Sequence, residues 1–372
     1  MDAVVIGGGV IGLAVAWRAA REGLEVAVVD PEPGSGASHY AAGMIAPVGE
    51  AEFGEDAVIA VNQDSAARYP EFVDELEADS GLPAGYRRCG SLHVAVDADE
   101  HVALERQFRH RQELGLPVVR LTSRETRELE PRLAPSIRSG VLVEGDHQVD
   151  PRAMVEALLA ACERRGVEVH RSSGEVIVDG GRVTGVRLEG DGRVATSRVV
   201  LAAGCWSRWV GGVPAVDVPP VRPVKGQILR LRGEPGIISR TVRSSRVYVL
   251  PRADGRVVIG GTVEERGLDT SVTAGAVLEL LRDARALVPD VAELELVETS
   301  AGLRPGSPDN APIVGDGVTE GLVLATGHYR NGYLLAPTTA IAVAGALAGR
   351  PWPELIDPWR PARFRHAAPV SA

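Results

Sequence analysis

The first thirty residues constrain this chain more than any other stretch. Ala3–Ile6 is a short apolar run, Gly7-Gly8-Gly9-Val10-Ile11-Gly12 follows without a gap, Leu13–Glu22 suits a helix, and Leu24–Asp30 is a second apolar run ending in a carboxylate. That order predicts strand, glycine turn, helix, strand and acid. In such a unit the glycines let backbone approach a pyrophosphate, and the helix start faces its charge. Gly7, Gly9, Val10, Ile11 and Gly12 would form the turn, and Asp30 would accept from a ribose hydroxyl. A glycine turn alone is weak, and acids also end strands as turn formers. The complete order is what points to a dinucleotide.

The rest of the chain reads as two interleaved units, which 372 residues at 45% hydrophobic composition are enough to build. Pro31–Ser38 is turn-rich, and the small residues of His39–Pro47 suit either backbone lying against a flat ligand or tight helix packing. Val58–Ala78, Asp99–Leu114 and Pro151–Arg165 read as helices and Arg88–Val96 as a strand. A meander is expected over Val167–His170, Glu175–Val178, Arg182–Leu188 and Arg193–Thr196, running into the apolar Val199–Gly204. Val224–Arg232, Val247–Pro251, Arg256–Gly261 and Glu293–Gly302 predict an antiparallel sheet with one covering helix, Ala274–Leu287. Ala311–Val314, Leu322–Thr326 and Leu334–Leu347 return to the opening style. The expected class is α/β: a Rossmann-like nucleotide domain over 1–80, 145–218 and 300–350, an antiparallel-sheet domain over 81–144 and 219–299, and a loosely held tail over 351–372.

A net charge of −10 argues against nucleic acid or anionic lipid as a partner. Cys89, Cys162 and Cys205 are too scattered for a disulfide framework or a metal site, so no metal is expected and a reducing cytoplasm fits. No leader and no membrane-spanning stretch stands out.

Three clusters suit chemistry. In Ser300–Pro312, Arg304 falls just after a predicted strand, placed to meet a carboxylate with two parallel hydrogen bonds, although most such arginines only tether a loop. Gly327–Pro337 follows an apolar strand and opens a helix whose N–H groups suit a developing anion, such as the N1–C2=O edge of a flavin that accepts hydride. Ser245–Pro251 puts Tyr248 on a strand, where its hydroxyl can assist at a carboxylate or simply serve the core. No nucleophile elbow, P-loop, HExxH motif or acid pair is present, so a cofactor must carry the hard step.

These residues resemble the FAD-dependent amine oxidases of the D-amino acid oxidase type, most closely the bacterial glycine oxidases of thiamine biosynthesis. The resemblance runs from Val4 to Leu347 through VVIGGGVIGLAVA, ASHYAAGMIAP, VVLAAGCWS, PVKGQ, YVLPRADGRVVIGGT, AGLRPGSPDNAPIVG and GHYRNGYLLAP. It implies non-covalent FAD, because no cysteine follows Cys205 to form the link of the sarcosine-oxidase relatives. FAD contacts would come from Gly7, Gly9, Val10, Ile11, Gly12, Asp30, Ala37, Ser38, Ala42, Gly43 and Met44, from a residue near Val176 at the adenine, and from His328, Tyr329, Arg330, Asn331, Gly332, Tyr333 and Leu334. Arg304 would clamp the substrate carboxylate with Tyr248 assisting, and Arg330 would close the pocket through its side chain or its carbonyl. Asp30 stands where many relatives have Glu, and Val263 where a larger methionine lines the pocket. The implied reaction takes an α-hydrogen of glycine, or of sarcosine or a small D-amino acid, to flavin N5 as hydride, with O2 as final acceptor and hydrogen peroxide as product. A homo-oligomer and imine hand-off to a thiazole synthase are further implications. Two other readings stay open: a dehydrogenase or a sarcosine or D-proline oxidase of the same architecture, and a scaffold subunit holding structural FAD.

Overall fold

Burial on both faces explains why the opening strand is apolar throughout. In the computed structural model, which describes residues 1–364 apart from the side chains at 56 and 57, Ala3 and Val5 join a core shared with the helices Val10–Arg21, Asp56–Ser80, Pro151–Arg164 and Gly332–Leu347. Val4 and Ile6 pack on the opposite side, against Val176, Val183 and Val186 of a separate three-stranded layer. Six strands form this first sheet in the order Ile313–Asp316, Leu322–Thr326, Val199–Leu201, Ala3–Ile6, Val26–Val29 and Glu168–His170. All neighbours run parallel except the first pair. The chain moves from Ala3–Ile6 to one side and later returns on the other, so the turns after Ile6 and Leu201 meet at one sheet edge, where α/β sheets bind ligands.

Two details depart from the expected pattern. The helix begins at Val10 rather than Leu13, because the glycine turn itself supplies its first turn: a Cβ on Gly12 would lie 1.8 Å from the Gly7 carbonyl oxygen. Glu168–His170 does not belong to the meander but pairs in parallel with Val26–Val29. The helix Pro151–Arg164 before it provides the crossover a parallel partner needs, and three residues are too few to show their pairing in a pattern.

The second sheet has eight strands in the order Glu295–Gly306, Arg222–Arg232, Arg256–Gly260, Tyr248–Pro251, Thr241–Arg243, Ser91–Ala95, Ser139–Val143 and Val119–Thr122. It is antiparallel except where Thr241–Arg243 meets Ser91–Ala95. Leu229, Val249 and Ile259 pack against Leu280, Ala284 and Leu287 of the expected helix Ala274–Leu287. A second helix, Ala98–Glu113, adds Leu104 and Phe108 against Val141 and Val143, so one covering helix was too few. The tail is not loose as far as Phe364, since Ile356 and Trp359 are fully buried in the first core; residues 365–372 lie outside the described residues. Its Arg- and Pro-rich composition hid these two anchors. Among the described residues, no helix is long and apolar enough to cross a membrane.

Candidate active site

A cavity of about 890 Å³ is lined from both sheets, at the upper end of the range for small-molecule sites. Its wall includes Gly7, Gly9, Val10, Ile11, Asp30, Ala37, Ser38, Ala42, Gly43 and Met44 from the nucleotide side, Tyr248 and Arg304 from the large sheet, and His328, Tyr329, Arg330, Gly332 and Tyr333 from the last turn. Four expected contact residues stand behind the wall. Gly12 is tucked beneath Gly7, and Leu334 is buried in the first core. Asn331 is buried at the start of the last helix. Val176 is buried in the second-face core, while its neighbours Gly174 and Glu175 reach the cavity.

The nucleotide side is built for an anion. The N-cap of the helix Val10–Arg21 is Gly9, which has no side chain to cap it, and Gly7, at φ +115°, holds a turn where a Cβ would strike the Ala202 carbonyl at 2.4 Å. Ser38 Oγ accepts from the Val10 N–H at 2.9 Å. Asp30 accepts from the Gly8 N–H at 2.7 Å and from the Glu32 N–H at 2.8 Å, one on each oxygen, which aims the carboxylate and leaves lone pairs for a hydroxyl. Tyr333 Oη lies 2.8 Å from the Ser38 carbonyl and 3.0 Å from that of Pro151, tying the uncapped last helix to this turn. His328 Nε2 lies 2.9 Å from Thr339 Oγ1, and burial lowers its pKa to about 3, so the ring is neutral.

Arg304 lies within a strand, not just after one. Glu295–Gly306 is an edge strand that runs on through Pro305, which faces Pro223 in register, and an edge proline interrupts no ladder. Arg304 pairs with Val224, and its Nη1 donates to the carbonyls of Thr262 at 3.1 Å and Lys225 at 3.4 Å. A Cβ on Gly226 would sit 2.3 Å from both Nη atoms, so this glycine makes the space the guanidinium occupies. Gly260 does the same for Tyr248: the two are in register, and a Cβ there would lie 2.3 Å from the phenol oxygen. Burial raises the Tyr248 phenol and the nearby Arg304 cation partly offsets this, so the group remains a hydrogen-bond donor at neutral pH. Gly226→Ala should therefore raise KM for a carboxylate substrate by about tenfold with little change in kcat, as steady-state kinetics would reveal.

Arg330 does not offer its side chain freely. Its Nε donates to Glu50 at 2.6 Å, its Nη2 pairs with Glu55, and Glu50 also binds Arg243 at 2.5 Å. Burial alone would raise the Glu50 carboxyl, but Arg243 and Arg330 outweigh it and hold it at about 2. Beneath Glu50, buried Asp146 accepts from the N–H groups of Val48 and Gly49 and from Ser91 Oγ, while Arg111 donates to the Gly49 carbonyl. Glu50, Glu55 and Arg243 escaped the sequence reading, since each is an ordinary charge until the fold pairs it across long separations.

The DAO family profile, described as FAD dependent oxidoreductase, matches residues 2–346. The chain belongs to this family. A glycine oxidase of Geobacillus kaustophilus is 33% identical over 356 residues, covering 92% of each chain. A bifunctional ThiO/ThiG protein of Trichormus variabilis is 33% identical over 99% of this chain, which spans 56% of that protein's length. The crystal structure of glycine oxidase from Geobacillus kaustophilus superimposes with a TM-score of 0.90 at 31% identity, covering 96% of this chain and 97% of that one. The family's cofactor, FAD, fits the residues present: a helix start with glycine at its N-cap, an Asp30 carboxylate with lone pairs left for a hydroxyl, and a cavity that continues to Tyr248 and Arg304. Cys205 also lines the cavity, but burial pushes its thiol up to about 12, so it offers no thiolate at neutral pH for a covalent link.

Proposed function

We propose that this chain oxidises a small amino acid at its α-carbon, with glycine as the lead substrate: glycine, O2 and water give glyoxylate, ammonia and hydrogen peroxide. Arg304 carries the reading. It is a cation on the cavity wall whose hydrogen-bond partners among the described residues are two carbonyls, whereas the other cavity arginines, Arg243, Arg246 and Arg330, are paired with acids. An uncompensated guanidinium suits one ligand carboxylate. Tyr248 donates a second hydrogen bond to it, and Arg330, held by Glu50 and Glu55, closes the wall. When bound, FAD supplies the two-electron acceptor. The chain contributes orientation, and neutral His328, occupied by Thr339, leaves placement rather than proton abstraction as its role.

The Trichormus relative's double name supports supply of the imine to a thiazole synthase in thiamine formation, and three free cysteines support a cytoplasmic setting. Oxygen uptake and peroxide release across glycine, sarcosine and small D-amino acids test the activity, with an anaerobic acceptor panel beside them. Glycine should consume O2 and release peroxide in equal amounts. Turnover only with an artificial acceptor would make the chain a dehydrogenase, and no turnover with any amino acid would reject the reading.

A further inference from the structure

We propose that Lys225 and Gln227 are positioning residues that set Arg304 through the segment Thr262–Thr273, a role that rests on Arg304 binding a carboxylate. Lys225 is the chain's only lysine and is fully buried; Gln227 is 1% exposed. Both sit on the strand Arg222–Arg232, flanking the glycine that makes room for the guanidinium.

Together they tie down the segment that leaves the neighbouring strand. The Gln227 N–H donates to Thr262 Oγ1 at 2.9 Å, and the Thr262 N–H donates to the Gln227 carbonyl at 3.3 Å. The Gln227 side chain donates to Glu264 at 2.7 Å and to Thr273 Oγ1 at 3.3 Å, and its oxygen accepts from the Thr273 N–H at 2.8 Å. Lys225 exchanges backbone hydrogen bonds with Glu264, both at 2.9 Å, and its Nζ donates to Asp269 at 2.6 Å. Asp269 is itself aimed by the Ser271 N–H at 3.0 Å.

Apolar packing cannot hold this segment, because every residue from Glu265 to Gly275 is exposed. Polar ties therefore set its course: those from the two buried side chains and an exposed pair between Arg222 and Glu265 at 3.0 Å. Burying an ammonium is expensive unless it is paired, and Lys225 Nζ has that partner in Asp269. The conformation at stake includes the Thr262 carbonyl that receives Arg304 Nη1 and the cavity-lining Val263. A loosened segment would let the guanidinium drift without touching the FAD side.

The test uses the FAD-loaded full chain and the variants Lys225→Met, Asp269→Asn and Asp269→Glu. The exposed Asp269 keeps the test open even if Lys225→Met fails to fold. KM and kcat are measured with glycine, and acetate affinity by titrating the flavin spectrum. Asp269→Asn and Lys225→Met should raise glycine KM and acetate Kd together, by about tenfold, with kcat within about twofold, and Asp269→Glu should recover most of the loss. An amine-acylating reagent should leave Lys225 unmodified in the wild type and label it in Asp269→Asn, as mass spectrometry of this single site would reveal. Unchanged acetate affinity in both Lys225→Met and Asp269→Asn overturns the proposal, and so does loss of FAD or a parallel fall in kcat. A wild type that turns over no amino acid but whose acetate affinity responds as described would reject the substrate reading and keep the positioning role. A wild type that binds no acetate overturns both.

Discussion

Arg304→Ala is expected to raise KM for glycine steeply and to lower kcat/KM by a clamp's worth, on the order of 2–4 kcal/mol. The size follows from what replaces the guanidinium. Arg304 sits in a space made by Gly226 and donates to the carbonyls of Thr262 and Lys225, so its truncation leaves the Thr262 carbonyl and the ligand carboxylate without that donor, while the Lys225 carbonyl keeps the Glu264 N–H. Tyr248 alone can offer only one hydrogen bond and no charge. FAD affinity should hold, since Arg304 lies on the large sheet, apart from the glycine turn and Asp30 that would hold the nucleotide. Steady-state kinetics alongside flavin content separates the two effects, and wild-type kinetics in this variant would dismiss the clamp.

Glu50→Gln should cost stability on the order of 3 kcal/mol near neutral pH. A buried carboxyl held at about 2, against an ordinary value of 4.5, favours its charged form by roughly that amount. Because the folded-state value is depressed, the contribution is complete above the ordinary value and disappears as pH falls through about 2. The wild type should thus lose stability between these limits, while Glu50→Gln, already without the charge, should show a flatter acid limb. Arg243 would be left without its acid and Arg330 with Glu55 alone. Thermal unfolding of both proteins across that pH range checks the sign as well as the size, and parallel acid limbs would contradict it.

The local parts of this fold were legible because their signals are local. The Gly7–Gly12 turn, the helix after it and Asp30 lie within one short unit, and Tyr248 opens a short apolar strand, Tyr248–Pro251. Arg304 was legible as a residue but not as a place: its strand seemed to stop before Pro305, and only the register opposite Pro223 on an edge strand removes that obstacle. Gly226 could be seen in PVKGQ, yet its use depends on facing Gly302, two positions from Arg304 across the sheet. Glu50, Glu55 and Arg243 left no signal at all, since ion pairs between residues so far apart are set by topology rather than by neighbours. For the same reason Glu168–His170 looked like one more strand of a meander.

The most direct measurement is anaerobic mixing of the FAD-loaded protein with glycine while its visible spectrum is followed. The yellow band should bleach in the wild type and persist in Arg304→Ala at the same glycine concentration, and admitting air should restore it with release of peroxide. A protein that takes up FAD and stays yellow in glycine, sarcosine and small D-amino acids alike would contradict the proposed function.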